Sequence, residues 1–337
     1  MSSRLLDQLT SFGRKVDPVI IQALSRSSNS TFRPALEYHF KVGGGKRMRA
    51  ALVMLSCAAA GGKLSDALAP AAVVELIHNY SLVMDDIIDH GEVRRGKPTV
   101  RAKMGDSVAL LVGMFYREII DDIVDECSSR DRIRRKSVEA MKEIIDGERL
   151  DLLFEQAGRV DPYLISNRVL DPDFRMYLDM IGKKTASLFR TAAIIGGYAA
   201  KADRKTIENL GEFGWKSGLA FQVMDDVLDV YGQSTGKETA KDVIEHKLGN
   251  AAILVALRHL PKAGRSELLS ILRSEKVTKT MASKARALAA RTPAEYECRT
   301  VAMEYLDEAK KHLDILDGSD YKRSLSQLAD MVVLRTY

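Results

Sequence analysis

Cysteine and proline are both scarce in this chain of 337 residues, and their scarcity narrows the choice of fold and compartment. The three cysteines, Cys57, Cys127 and Cys298, show none of the paired spacings that disulfide frameworks or zinc sites use. They fit a reducing compartment, so we expect a cytoplasmic protein. The chain has only eight prolines, and no Asn-Gly or Asp-Gly turn lies between alternating apolar runs, which argues against a β-rich fold.

A strong charge of one sign is also absent. Lys and Arg number 51 against 46 for Asp and Glu, and the resulting +5 is too small to indicate a nucleic-acid partner. Aromatic residues, at 6%, offer no surface for stacking bases. The N-terminal segment lacks the apolar core of a signal peptide, and no uninterrupted apolar run reaches about 18 residues. We therefore expect no nucleic-acid partner and no integral membrane segment.

Apolar residues recur at helical spacing along most of the chain. This pattern predicts long helices over residues 71–89, 134–156, 173–198, 207–231, 250–259 and 293–316. The glycine-containing segments between them are short connections and do not resemble linkers between domains. We therefore predict an all-α protein, with residues 1–337 forming a single large domain whose helices surround a common interior.

One seven-residue phrase occurs twice, as VMDDIID and VMDDVLD. Each copy carries three acids with the spacing Asp-Asp-x-x-Asp, namely Asp85, Asp86 and Asp89, then Asp225, Asp226 and Asp229. On a helix the first and last acid lie about 40° apart and about one turn apart along the axis. Carboxylates in an apolar surface are costly to desolvate unless a positive group meets them. The pair of motifs therefore predicts hard divalent cations, and in particular Mg²⁺ shared with phosphate.

A plainer interpretation is that each acidic phrase is a solvated helix face that arose by chance. With a single copy, a metal site and a solvated helix face would explain the pattern about equally well. The second copy, with apolar flanks on both sides, favours the metal site.

Basic side chains accompany both motifs. His78 lies seven residues before Asp85, which places the imidazole within about 20° of that acid on a helix. Arg94 and Arg95 follow the first motif directly and can bind two different anions. Near the second motif, Gln222 lies three residues before Asp225, on nearly the same face. The remaining candidates for binding anions are Lys46, Arg49, Lys184, Lys237 and Lys247.

Each of these residues also has a structural interpretation. A lone histidine is usually a hydrogen-bonded structural residue, and a lysine pair such as Lys183-Lys184 is usually solvated. The glycine loop 43–45 is a weak phosphate signal, because it lacks P-loop spacing and a preceding strand. Together, however, two acid clusters and at least six cations from separate segments fit two bound diphosphates, one that leaves and one that stays.

With these motifs in this order, the chain resembles the trans-isoprenyl diphosphate synthases, or polyprenyl synthetases. The segments that carry the resemblance are GGGKRMRA, ELIHNYSLVMDDIIDHGEVRRGKPTV, IGKKTASLF, GLAFQVMDDVLDVYG and TGKETAKD. The resemblance spans at least residues 43–247. It implies an all-α fold whose helices surround a central active-site cavity, and it implies a homodimer.

The resemblance also implies roles for individual residues. Asp85 and Asp89 are expected to bind two Mg²⁺ ions and Asp225 a third, while Asp86, Asp226 and Asp229 act through water or neighbouring groups. Isopentenyl diphosphate is expected at Lys46, Arg49, His78 and Arg95. The allylic diphosphate is expected at Arg94, Lys184, Thr185, Gln222, Lys237 and Lys247.

Several positions depart from the family pattern. Met84 stands where histidine is common, Met114 where aspartate is common, and Glu148 where glutamine is common. Ala186 and Ala240 replace common glycines. The residues after Lys247, Leu248 to Ala251, also depart from the family pattern.

Two other functions share these motifs. A terpene cyclase of the same fold normally keeps only one complete acidic motif, whereas this chain has two. A non-catalytic regulatory subunit of a prenyl synthase tends to lose acids or arginines, and here all are present. We therefore predict a prenyltransferase that makes a linear all-trans prenyl diphosphate.

The residues before Asp85 predict the product length. The growing hydrocarbon is expected to run from Asp85 towards the N-terminus of its helix. Ser81, four residues before, is small, whereas Tyr80, five residues before, is bulky, and Ile77 is medium-sized. In the family, this combination resembles geranylgeranyl diphosphate synthases. We predict C20 as the main product, with C25 as the nearest rival and C15 less favoured.

Overall fold

A computed structural model describes residues 3–42, 45, 47–232 and 240–333. Over these residues the regular secondary structure is helical apart from one short hairpin and one isolated β-bridge, which confirms the all-α prediction. The helices are α1 Ser3–Ser27, α2 Arg33–Val42, α3 Met48–Ala59, α4 Leu68–Ile88, α5 Val100–Met104, α6 Asp106–Asp125, α7 Arg130–Leu153, α8 Pro162–Asn167, α9 Phe174–Ile181, α10 Ser187–Ala199, α11 Arg204–Tyr231, α12 Lys241–Ile244, α13 Ala251–His259, α14 Lys262–Leu272, α15 Lys279–Ala289, α16 Ala294–Lys311 and α17 Asp320–Val333.

The chain divides into two compact units. The first unit comprises Met1–Met141, Leu188–Gly214 and Lys310–Leu328, and the second comprises Lys142–Ser187, Trp215–Ala309 and Ala329–Tyr337. The first acidic motif belongs to the first unit, and the second acidic motif belongs to the second.

Helix α4 lies at the centre of the first unit and packs against α1, α3 and α6. Its first half is almost completely buried, because apolar residues occupy every face of this part of the helix. Gly113 of α6 allows the close contact with α4, since a Cβ there would lie 2.8 Å from the sulfur of Met84. This packing fixes the direction in which α4 presents its last turn, where the acids lie.

By length and composition the segment Leu64–Ile88 could cross a membrane, because a stretch of 18 residues within it has a mean hydropathy of 1.3. In the structure, however, 61% of that stretch is buried. Burial in the core of the first unit therefore accounts for most of its hydrophobicity.

The hairpin pairs β1, Val93–Arg94, with β2, Lys97–Pro98. Its two turn residues, Arg95 and Gly96, have φ values of 54° and 73°. Positive φ at both central residues is the geometry of tight hairpin turns. This hairpin carries no sequence signal, because arginine occupies the position where asparagine or aspartate usually indicates such a turn.

In the second unit, the end of α7 packs against a π-helical turn, Gly182–Ala186, that connects α9 to α10. Gly147 makes this contact possible, because a Cβ there would lie within 2.6 Å of the Cα of Lys184. The prediction of one regular helix over residues 173–198 was therefore wrong at this turn. A π-helical turn inserts a residue and changes which side chains share a face.

Candidate active site

The first acidic motif lies at the C-terminal end of α4. Asp85 is in the last turn and Asp89 is the residue that caps the helix, with its N–H bonded to the carbonyl of Asp85 at 2.8 Å. Both residues are partly exposed, whereas Asp86 between them is buried. The motif therefore presents its outer two carboxylates and turns the middle one inward, as the helical spacing predicts.

Arg94 holds the buried carboxylate of Asp86. Its Nη2 donates to Asp86 Oδ1 at 2.8 Å, and its Nε lies 3.1 Å from both carboxylate oxygens. Burial of the guanidinium opposes its charge, but the bond to Asp86 and the charges of Asp85 and Asp89 offset this and raise the pKa of Arg94. Arg94 thus stays beside the first motif as a fixed cation.

His78 and Arg49 form the second part of the basic site. Nη1 of Arg49 lies 3.1 Å from Nε2 of His78, and because a guanidinium can only donate, this nitrogen accepts and the ring proton is on Nδ1. Burial and the adjacent Arg49 hold the pKa of His78 well below its ordinary value. The guanidinium of Arg49 also packs 4.9 Å from the ring of Phe189. The structure therefore brings together two of the residues predicted to bind isopentenyl diphosphate.

Arg95 lies in the hairpin turn and comes close to Gly45, where a Cβ would lie 3.1 Å from the Arg95 Cζ. It lines one small cavity together with Arg94, Lys97 and His39. Sequence reasoning did not select His39 or Lys97. Burial, followed by Arg95, Arg94 and Arg47, lowers the pKa of His39 to about 3, so this imidazole is neutral at neutral pH.

Arg47 supports this basic region and was also not selected. It has a left-handed backbone conformation, with φ at 48°. Its Nε donates to Asp17 at 2.8 Å, and its Nη1 lies 3.4 Å from the buried Glu75. These contacts tie α1 and α4 to the segment that carries Arg49. No local sequence signal could have found them, because Asp17 and Glu75 are distant from Arg47 along the chain.

The second acidic motif lies within α11. Asp226 is buried and accepts hydrogen bonds from Tyr177 Oη at 2.7 Å, from Gln222 Nε2 at 2.9 Å and from the backbone N–H of Ala251 at 2.9 Å. Thr185 Oγ1 in turn donates to Gln222 Oε1 at 2.8 Å. Two residues predicted for the allylic diphosphate site, Thr185 and Gln222, are therefore linked to the middle acid of the second motif.

Asp229 accepts from the backbone N–H groups of Lys241 and Asp242, at 2.9 and 3.2 Å. Burial, together with the nearby carboxylate of Asp242, raises the pKa of Asp229 to about 8. Asp242 was not selected from the sequence. It lies near Asp229 and Asp226 only through tertiary contacts between α12 and α11, and its own pKa is raised, mainly by burial.

The donor set of both motifs fits a hard divalent cation, because it consists of carboxylate oxygens. Within the described parts of the chain, no three acidic, histidine or cysteine side chains converge closely enough to form a metal site by themselves. Mg²⁺ usually takes only one or two protein carboxylates and completes its coordination with water and substrate phosphate. Partly exposed Asp85 and Asp89, and the mutual repulsion of Asp229 and Asp242, are consistent with that mode.

Lys184 and Lys247 meet acids of the second unit. The Nζ of Lys184 lies 2.7 Å from Glu148 and 2.6 Å from Asp151. The Nζ of Lys247 lies 3.3 Å from Asp151 and 3.1 Å from Glu245. Burial would raise the pKa of Asp151, but the two lysines outweigh it and hold that pKa well below its ordinary value. The remaining two predicted residues, Lys46 and Lys237, lie outside the described residues.

An apolar cavity of about 520 Å³ opens beside the first acidic motif. Tyr80 and Met84 of α4 line one side, and Leu111, Met114 and Phe115 of α6 line another. Ser81 is not among the lining residues, and its hydroxyl donates to the carbonyl of His78 at 2.9 Å.

The chain is similar to a known protein family, to curated proteins and to solved structures. The chain matches the polyprenyl synthetase family over residues 29–290. It is 31% identical to the short chain isoprenyl diphosphate synthase of Methanothermobacter thermautotrophicus, over 99% of each chain. It is 29% identical to the geranylgeranyl diphosphate synthase of Methanosarcina mazei, over 100% of each chain.

Among solved structures, the geranylgeranyl pyrophosphate synthetase of Pyrococcus horikoshii matches with a TM-score of 0.87 and 28% identity, over 98% of each chain. These matches confirm the predicted resemblance and the prediction of a trans-prenyltransferase. This chain belongs to the polyprenyl synthetase family.

Proposed function

We propose that this protein condenses isopentenyl diphosphate with an allylic diphosphate and releases a linear all-trans short-chain prenyl diphosphate, with C20 as the main product. The observation that carries the proposal is the end of α4, where the partly exposed carboxylates of Asp85 and Asp89 lie beside the fixed cation Arg94. Carboxylates for metal ions and cations for phosphate are both needed to hold a diphosphate that must leave.

The proposed residue roles follow the sequence analysis. Asp85 and Asp89 would hold two Mg²⁺ ions and Asp225 a third, while Asp86, Asp226 and Asp229 would support them indirectly. When bound, Mg²⁺ would neutralise the charge that develops on the leaving diphosphate. Arg94, Lys184, Thr185, Gln222, Lys237 and Lys247 would bind the allylic diphosphate, and Lys46, Arg49, His78 and Arg95 would bind isopentenyl diphosphate.

In the proposed reaction, the allylic C–O bond breaks and its electron pair leaves with the diphosphate. The double bond of isopentenyl diphosphate then attacks the allylic cation, and a proton is lost to the released diphosphate. The protein positions the two substrates and excludes water, which would otherwise capture the cation. A neutral His78 suits this task, because its Nδ1–H can donate to a phosphate oxygen without giving up its contact with Arg49.

The apolar cavity beside α4 supports the proposed product length. Its volume of about 520 Å³ is within the usual range for small-molecule sites. The bulky Tyr80 lines this cavity together with residues of α6, which supports a role for its side chain in limiting the length of the product. The geranylgeranyl synthases among the relatives support C20. C25 is the nearest rival, and C15 is less favoured.

Three further properties belong to the proposal. We propose that residues 1–337 function as one polyprenyl synthetase-like domain, since the family match at residues 29–290 includes parts of both compact units. We also propose that the protein works as a homodimer and resides in the cytoplasm, in line with the sequence analysis. Gel filtration with light scattering tests the oligomeric state.

The central experiment is to incubate the purified protein with Mg²⁺, isopentenyl diphosphate and an allylic primer of C5, C10 or C15, and to size the products. The expected result is a C20 diphosphate that forms only with Mg²⁺ and disappears with a chelator. A cyclic hydrocarbon formed from the primer alone would indicate a terpene cyclase. If the protein makes no product by itself but changes the product of an added synthase, it is a regulatory subunit.

A further inference from the structure

Two lysines of the second unit share one buried carboxylate. Oδ2 of Asp151 lies 2.6 Å from the Nζ of Lys184 and 3.3 Å from the Nζ of Lys247. Asp151 is only 4% exposed, so this contact is shielded from water. The two lysines are far apart in the sequence. No sequence pattern pointed to Asp151, the acid that lies between their ammonium groups in space.

The backbone brings Lys184 to Asp151 by a specific route. The π-helical turn Gly182–Ala186 packs on Gly147 of α7, where no side chain would fit. This contact directs Lys184 onto Glu148 and Asp151, whereas the neighbouring Lys183 pairs with Asp146 and Asp179 on the more exposed side. Two consecutive lysines therefore have separate sets of acidic partners.

Lys247 reaches Asp151 from a different segment. An isolated antiparallel bridge pairs Lys247 with Glu155, just after the end of α7. The N–H of Lys247 also donates to the carbonyl of Asp242 at 2.8 Å, and that of Leu248 donates to Phe154 at 3.3 Å. The unusual residues after Lys247 therefore do not displace it, because backbone hydrogen bonds on both sides hold its position.

We propose that Asp151 is a positioning residue that holds Lys184 and Lys247 together, so that the two ammonium groups bind the allylic diphosphate as one unit. Two ammonium groups close together repel each other, and a shared carboxylate removes this cost before substrate arrives. A preorganised pair loses less side-chain freedom on binding than two independent lysines. This inference rests on the proposed function, because it assigns the two lysines to the same substrate.

The alternative is that the Asp151 cluster only stabilises the fold, as many buried ion pairs do. The two interpretations differ in substrate selectivity. A purely structural acid would lower the apparent kcat through the fraction of folded enzyme and would leave KM for both substrates unchanged. A positioning acid would affect the substrate that the two lysines bind.

The first test compares Asp151→Asn with the matched control Asp146→Asn, in the full-length protein. Both acids are on α7 and both pair with a lysine of the same π-helical turn. Asp151→Asn is expected to raise KM for the allylic substrate about tenfold or more and to change KM for isopentenyl diphosphate less than about twofold. Asp146→Asn is expected to leave both values within about twofold.

The second test is a double-mutant cycle on the two lysines, measured in the wild-type background and in Asp151→Asn. Lys184→Gln, Lys247→Gln and the double variant are titrated with inorganic pyrophosphate and Mg²⁺ by calorimetry. If the lysines act as a unit, the loss of affinity in the double variant is clearly smaller than the two single losses combined. In an Asp151→Asn background the same losses should become additive.

Three outcomes would overturn the inference: additive losses in the wild-type background, an unchanged allylic KM in folded Asp151→Asn, or equal increases of both KM values. Should Asp151→Asn not fold, the cycle on the wild-type background still decides the question. Pyrophosphate binding does not depend on turnover. A wild-type protein without activity but with coupled lysines would therefore contradict the proposed function and leave the coupling standing.

Discussion

The two acidic motifs have the same spacing but different surroundings. In the first motif the middle acid, Asp86, forms a charged pair with Arg94. In the second, the middle acid, Asp226, is bonded to a tyrosine hydroxyl, an amide and a backbone N–H, none of them charged. The two middle carboxylates therefore occupy equivalent positions in the repeated phrase but have different electrostatic environments.

The outer acids differ as well. Asp89 caps the end of α4 and is followed by the hairpin that supplies Arg94, so the first motif lies beside cations. Asp229 instead accepts two backbone N–H groups near Asp242, a further acid. Burial and Asp242 raise its pKa, whereas Arg94 balances the first motif. The second motif is therefore expected to depend more on a bound cation for its charge balance.

The largest expected effect concerns the first acid of each motif. Asp85→Ala and Asp225→Ala should each lower kcat by at least about 10³-fold, because loss of a metal ligand removes several kcal/mol of stabilisation from the leaving group. Circular dichroism should be unchanged. Steady-state turnover at saturating Mg²⁺ measures the effect. A wild-type rate in either variant would remove the metal role of that motif.

Replacing the middle acid should lower the free energy of unfolding by a different amount in each motif. Asp86→Asn leaves Arg94 without its carboxylate and should cost about 2–3 kcal/mol, less than for a fully buried pair because Arg94 is partly exposed. Asp226→Asn keeps one acceptor and places a donor among donors, which should cost about 1–2 kcal/mol. Urea unfolding measures both. Equal losses would mean that the charge on Arg94 is unimportant.

The stability of the protein should depend on pH through His39, which lies beside Arg94 and Arg95 in the first unit. The folded-state pKa of His39, about 3, is below the ordinary value of 6.5, so the unfolded chain binds the proton more readily. The stability that a neutral His39 contributes is present above about pH 6.5 and is lost as pH falls towards 3. At pH 5 this loss amounts to about 2 kcal/mol.

His39→Asn should therefore flatten the decline in unfolding free energy between pH 6.5 and 5. Urea unfolding across this range provides the measurement. An identical decline in wild type and His39→Asn would show that other groups control acid sensitivity.

The neighbouring arginines of the hairpin should differ in two readouts. Arg94→Lys is expected to raise KM mainly for the allylic substrate and Arg95→Lys mainly for isopentenyl diphosphate, each about tenfold, since lysine cannot reproduce a bidentate contact. Only Arg94→Lys should also lower stability, because Arg94 alone pairs with Asp86. Equal effects of the two variants on both substrates would remove these assignments.

The smallest expected effect on rate concerns product length. Tyr80→Ala should enlarge the cavity beside α6 and move the product from C20 towards C25 or longer. Ser81→Phe should shorten the product towards C15, because residue 81 lies three residues before Met84 and a large side chain there would reach the same wall of the cavity. Sizing the extracted products by mass spectrometry measures both. An unchanged distribution in both variants would show that other residues set the length.

The structure also shows where sequence reasoning succeeded and where it could not. The helices that carry both motifs were predicted within a few residues, because apolar periodicity determines which faces are buried. The hairpin 93–98 and the π-helical turn at Lys184 were missed, because each departs from the local pattern by a single residue. The role of Asp151 depends on contacts between segments distant in sequence, which no local pattern encodes.

The sequence by itself determined the chemistry of this protein: two sets of paired carboxylates on helices, followed by arginines and lysines that suit phosphate. It did so because residue type and helical spacing are local properties. Only the tertiary structure decided which acid meets which base, namely Asp86 with Arg94, Asp226 with Tyr177, and Asp151 with two lysines. These pairings depend on how separate segments pack, and packing brings together residues whose separation in the chain carries no signal.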